Sequence, residues 1–114
     1  MEDCVFCSII KGEIPTDILY QDGDFIVIKD INPMAKIHLL AIPKVHFPLL
    51  SMQTEEGVQV VSRIIHKISE LAEQFGLKNG YRLMINQGED AGQTVAHLHI
   101  HILGGENLDA RWIN

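Results

Sequence analysis

The chain has 114 residues, 46% of them apolar and 21% charged, which is enough for one packed core and outside the range of disordered or coiled-coil chains. Nine Lys and Arg against fifteen Asp and Glu leave a net charge of −6, which repels a nucleic-acid backbone and an anionic lipid surface. The expectation is no specific nucleic-acid partner and no membrane, while a phosphorylated small molecule stays open because a local site can oppose the net charge. Met1-Glu2-Asp3 opens acidic, and the longest apolar runs, such as 25–28 and 39–42, are far too short for a span. No secretory signal is predicted, so the expected location is cytoplasmic.

In chain order, residues 6–11 mix apolar and small polar side chains and stop at Gly12, predicting a short N-terminal helix that Pro15 closes. Residues 18–20 and 25–28 read as two strands joined at Asp22-Gly23, a favoured hairpin turn. Asp30-Ile31-Asn32-Pro33 breaks the pattern, and 37–42 resumes it as a third strand ending at Pro43. Over 55–75, Val58, Val61, Ile65, Ile68, Ala72 and Phe75 recur at spacings of three and four, a helical seam widened by Ile64 and Leu71. Thr54 suits the N-cap, Glu55 and Glu56 suit the positive end of the dipole, and Gly76 suits the stop. The seam is broader than one small sheet needs, which predicts dimerisation through this helix and a neighbouring strand. A fourth strand is expected over 81–85 and a fifth over 95–103, closed by Gly104-Gly105. The order β-β-β-α-β-β, with no repeat or linker, predicts a single α+β domain over 1–114: a five-stranded antiparallel sheet, one long helix and a short N-terminal helix.

Six histidines are present, three of them in His97-Leu98-His99-Ile100-His101. Side chains alternate along a strand, so the three imidazoles share one face while Ala96, Leu98, Ile100 and Ile102 share the other. A satisfied core histidine explains one such residue, not three in a row. Metal binding and nucleophilic catalysis are the chemical readings. At ~3.3 Å per residue His97 and His101 stand roughly 13 Å apart, so one tetrahedral zinc takes one or two of the row but hardly all three. A neutral imidazole is a good nucleophile toward phosphorus when its second nitrogen is held as a donor. The preceding loop, Gly92-Gln93-Thr94, can offer backbone N–H groups and a hydroxyl to an anion.

Cys4 and Cys7 form a C-x-x-C pair near the N-terminus. In a reducing compartment such a pair is more often a metal or redox site than a structural disulfide. A thioredoxin-like motif follows a strand, and no strand is predicted ahead of this one. A structural zinc needs two further ligands. Two unpaired thiols remain the third reading.

The run His97-Leu98-His99-Ile100-His101-Ile102-Leu103 resembles the signature of the histidine-triad (HIT) family, and Gly104-Gly105 after it is similar to the Hint branch of purine nucleoside phosphoramidases. The blocks Cys4 to Pro15, Asp30-Ile31-Asn32-Pro33, His38 to His46, Asn86 and Gly92-Gln93-Thr94 match in the same order, so the resemblance covers nearly the whole chain. It implies the HIT fold, a homodimer with one continuous sheet, and a purine nucleotide (AMP- or GMP-like) site on each protomer. Carried onto these residues, His99 is the nucleophile at the α-phosphorus. His101 and the Gly92, Gln93 and Thr94 loop hold phosphate oxygens, with Thr94 also near the leaving group. Asp30 accepts from the ribose hydroxyls with Ile31 beside it, Phe6, Ile9 and Ile14 sandwich the base, and Asn86 reaches the phosphate. His38 extends the proton network and His97 completes the triad. In relatives with the cysteine pair, zinc is completed by the positions of His46 and His97, which implies structural Zn2+ on Cys4, Cys7, His46 and His97 and no catalytic cofactor. Thr94 stands where many relatives carry Ser, Ala96 is smaller than the usual residue, and the tail over 106–114 with Trp112 differs. These departures bear on leaving group and base, not on reaction class.

The function implied is a hydrolase of purine nucleoside 5′-phosphoramidates, of the adenosine 5′-monophosphoramidase type, acting through a nucleotidyl-histidine intermediate on His99. A Fhit-like dinucleoside polyphosphate hydrolase is the first alternative, and Gly104-Gly105 argues against it. A nucleotide-binding scaffold with incidental hydrolysis is the second, and the intact triad argues against that.

Overall fold

Alternation in the third strand sets the architecture, because it is apolar on both faces and needs a layer on each side. The computed structural model describes residues 4–109 and 111. Its elements are α1 (Val5–Ile10), β1 (Ile18–Gln21), β2 (Phe25–Lys29), β3 (Ile37–Pro43), α2 (Glu55–Leu71), β4 (Tyr81–Met84) and β5 (Ile100–Gly104), with single 3-10 turns at Leu50–Met52 and Glu89–Ala91. The strands form one five-stranded antiparallel sheet in the order β1-β2-β3-β5-β4. Among the described residues no helix is long and apolar enough to cross a membrane.

The two faces follow from register. Val27 pairs with Ala41 and Ala41 with Ile100; these side chains, with Phe25, Leu39 and Ile102, pack on Val60, Ile64, Ile68 and Leu71 of α2. Ile26, Ile28, Leu40 and Ile42 point the other way, under Phe6 and Ile9 of α1. Fully burying Ile64 and Ile68 stabilises the layer by about 1.5–3 kcal/mol each. The ends of α2 behave as expected at the start: the Thr54 hydroxyl accepts from the Gly57 N–H at 3.2 Å.

Three details differ from the sequence expectation. The regular part of α2 stops at Leu71 rather than residue 75, and a tighter turn carries the chain to Gly76, whose φ of +81° is open to glycine. The buried stripe centres on Ile64 and Ile68, leaving Val58 50% and Ile65 41% exposed. An apolar arc this wide has no unique centre until the sheet chooses one. Finally, β5 begins at Ile100, not Val95. The ladder with β3 ends at the pair Ala41 and Ile100, although β3 runs on to Pro43, because the approach bonds elsewhere: the Leu98 N–H donates to the Phe47 carbonyl at 2.8 Å. The alternation survives without the ladder, since Leu98 still packs with Phe47 and Val61 on the α2 side.

Candidate active site

On the α1 face the imidazoles form two groups bridged by the Phe6 ring. Ring centroids are 4.7 Å apart for His46 and His97, 5.0 Å for His99 and His101, and 5.1 Å for His101 and His38. The Phe6 ring stands edge-on to His97 and His99, at 5.9 and 5.1 Å. His97, His99 and His38 are buried, and burial is the main cause that lowers the pKa of His97, His38 and His101, the last to about 4.

Backbone groups decide which nitrogen of each ring carries the proton. His99 Nδ1 lies 2.8 Å from the His97 carbonyl oxygen; a carbonyl only accepts, so Nδ1 is the donor and Nε2 keeps a lone pair. His97 Nε2 donates to the Pro43 carbonyl at 2.8 Å, which leaves the lone pair on His97 Nδ1. The Met34 N–H donates to His38 Nδ1 at 3.0 Å, so the His38 proton is on Nε2, 2.9 Å from His101 Nδ1 and 3.3 Å from Asp30 Oδ2. His101 Nε2 is then a donor, and it is buried without a partner among the described residues. One group thus holds a bare nitrogen and, beside it, an unsatisfied N–H: a nucleophile next to an oxyanion donor.

The N-terminal segment brings a second set together. His97 Nδ1 lies 3.3 Å from Cys4 Sγ, 3.5 Å from Cys7 Sγ and 3.0 Å from His46 Nδ1, and Cys7 Sγ lies 3.3 Å from His46 Nδ1. All four ligand atoms lie within 4.8 Å of one another. Tetrahedral zinc with bonds of about 2.0–2.3 Å places its ligands about 3.3–3.8 Å apart, so this donor set fits the ion after small adjustments. The direction of the His97 ring, fixed by Pro43, presents a lone pair where a metal needs one. Burial raises the Cys7 thiol and lowers His46.

Other expected residues are placed as follows. Asn86 is half-buried and lines a recess of about 140 Å³ with Met34, His38, Met84, His101 and Leu103. Phe6 and Ile9 are buried against the sheet, Ile14 is at the surface and Ile31 is 91% exposed. Thr94 is exposed. The Gln93 side chain latches the loop: its amide accepts from the Gly88 N–H and donates to the Pro48 and Val95 carbonyls. The Gly92 and Gln93 N–H groups also bond inside the loop, to Glu89 and Gly88. The backbone partners Pro43, Met34 and Phe47 had no signal in the sequence, since any residue supplies the same group. Gly104-Gly105 gains a packing reason. A Cβ on Gly104 would lie 2.6 Å from Leu77, and one on Gly105, at φ +78°, 2.7 Å from Ile37. Trp112 lies outside the described residues.

This α+β sheet with a row of imidazoles has close counterparts. Residues 3–110 match the family described as "Scavenger mRNA decapping enzyme C-term binding". HitA of Neisseria gonorrhoeae is 45% identical over 104 residues, spanning 91% of this chain and 97% of that one. A HIT family hydrolase from Clostridium thermocellum superposes with a TM-score of 0.89 at 46% identity over 96% of each chain. A zinc-bound histidine triad family protein from Mycobacterium smegmatis does so with 0.80 at 37% identity, over 95% of this chain and 78% of that one. The chain belongs to the histidine-triad superfamily.

Proposed function

We propose that this chain is a HIT hydrolase, one domain over 1–114, that cleaves purine nucleoside 5′-phosphoramidates. The observation that carries the reading is the His99 ring, whose Nδ1–H is held by the His97 carbonyl so that Nε2 is left as the nucleophile. His99 Nε2 attacks the α-phosphorus, the P–N bond breaks with its electron pair going to nitrogen, and the amine leaves with a proton that the Thr94 hydroxyl passes on from solvent and that the hydrolytic water returns in the second step. Water then attacks the nucleotidyl-histidine, releasing the nucleoside monophosphate and restoring His99. The His101 Nε2–H donates to a non-bridging oxygen in both steps. Asp30 takes the ribose hydroxyls, Ile31 lies beside the sugar, Phe6, Ile9 and Ile14 frame the base, and Asn86 faces the phosphate. Kinship with solved HIT family hydrolases supports this class of reaction.

Cys4, Cys7, His46 and His97 would hold a structural zinc, which supplies rigidity because a four-ligand ion has no open position for water. His97 would link that centre to the nucleophile two residues away. Two copies would associate through α2, where Val58 and Ile65 remain exposed, and the neighbouring edge strand β4.

The test is a panel of adenosine 5′-phosphoramidate, its guanosine counterpart and a diadenosine polyphosphate, run with wild type and His99→Gly. The phosphoramidates should turn over, and the variant should lose on the order of 10³-fold or more while still binding AMP. Equal rates in the variant would end the mechanism, and preference for the dinucleotide would move the protein to the Fhit-like branch.

A further inference from the structure

One N–H in the site has two acceptors. The Met34 amide occupies His38 Nδ1, so the neutral His38 ring carries a single proton on Nε2. His101 Nδ1 stands 2.9 Å from that nitrogen and Asp30 Oδ2 stands 3.3 Å from it. The other Asp30 oxygen is anchored by the Asn32 N–H at 2.8 Å, which keeps Oδ2 aimed at His38. Only the share given to His101 fixes that ring with its proton on Nε2, the buried nitrogen that has no partner among the described residues. The same three side chains bring ligand atoms within 4.8 Å of one another, as a divalent cation would require. A cation needs a lone pair at His38 Nε2, however, and the Met34 donor keeps the proton there. Burial holds both rings toward the neutral form, so hydrogen-bond sharing rather than charge is the variable.

We propose that Asp30 is a positioning residue that couples occupancy of the sugar site to the orientation of the His101 proton donor. The inference rests on the nucleotide reading above. With no sugar bound, Asp30 Oδ2 draws off part of the His38 Nε2–H. When ribose hydroxyls donate to the carboxylate, the His38 N–H turns fully to His101 Nδ1, and the His101 Nε2–H is locked toward the phosphoryl oxygen. The His38 proton stays on Nε2; its hydrogen bond is redistributed between two acceptors, and the His101 tautomer equilibrium moves from Nδ1–H toward Nε2–H with it. Sugar hydroxyls therefore act on kcat, not on KM alone.

The experiment uses full-length protein with 15N-labelled histidine, whose long-range 1H–15N correlations report the His101 tautomer. AMP and 2′,3′-dideoxy-AMP are added at saturation. AMP should drive His101 to the pure Nε2–H pattern, and the dideoxy nucleotide should leave the ligand-free pattern although it binds. Ligand-free Asp30→Ala, which lacks the competing acceptor, should already show the AMP-bound pattern. In wild type, removing the two hydroxyls from adenosine 5′-phosphoramidate should lower kcat about tenfold, and in Asp30→Ala the ratio should fall to about one. An identical His101 pattern with both bound nucleotides, in a wild type that needs no variant to fold, overturns the coupling alone. AMP that shifts no triad resonance overturns the nucleotide reading and the coupling with it.

Discussion

Mild acid should destabilise this protein through His101 before its carboxylates come into play. The ring lies between His99 and His38, its Nε2 buried with no partner among the described residues, and its pKa falls from 6.5 to about 4. Burial is the largest cause, charge on His99 and His38 adds to it, and Asp30 opposes it. Between those two values the unfolded chain binds a proton that the folded chain refuses. Stability is therefore complete above about pH 6.5 and declines as pH falls toward 4. The linkage relation makes the loss about 2 kcal/mol by pH 5 and about 3 kcal/mol by pH 4, a large part of a typical domain stability. His38, His46 and His97, also lowered by burial, act in the same direction. Asp24, held down by Arg63, and Glu106, held down by the Lys36 N–H, lose their contributions only at lower pH. Urea unfolding at pH 7 and pH 5 should be compared for wild type and His101→Gln, which keeps a donor but does not titrate. Wild type should lose about 2 kcal/mol more than the variant over that interval. Parallel losses in the two proteins would refute the argument.

Gly105→Ala should cost about 2–4 kcal/mol, because it combines a left-handed backbone with a Cβ pressed 2.7 Å from the Ile37 side chain; thermal unfolding reads the loss, and adding Ile37→Ala should recover part of it. Ile64→Ala should destabilise the fold by about 2–5 kcal/mol in urea, whereas Ile65→Glu, one position along but facing outward, should spare the fold and shift sedimentation toward monomer. Chelation with EDTA, or Cys4→Ser, should release about one zinc per chain by elemental analysis and lower the melting temperature before it lowers the rate; a metal-free wild type of equal stability would end the zinc assignment.

Much of the fold was legible because side-chain periodicity is a local property of the chain. The hairpin at Asp22-Gly23, the Thr54 cap, the order of strands and helices, and the common face of His97, His99 and His101 all follow from spacing over a few residues. Resemblance to the HIT family added the partners of the cysteine pair, which lie 39 and 90 residues from Cys7 and which no spacing rule connects to it. Tertiary structure alone decided which part of the apolar arc on α2 is buried, since that depends on how the sheet meets the helix. It also decided where β5 starts: the Leu98 N–H bonds to the Phe47 carbonyl and draws the approach off the ladder, so Ala41 and Ile100 form its last pair with β3. The proton on each imidazole lay furthest from the sequence. It is set by the carbonyls of His97 and Pro43 and the amide of Met34, groups that every residue or nearly every residue carries. Residue identity can supply a row of histidines; only the folded backbone decides which nitrogen of each one is bare.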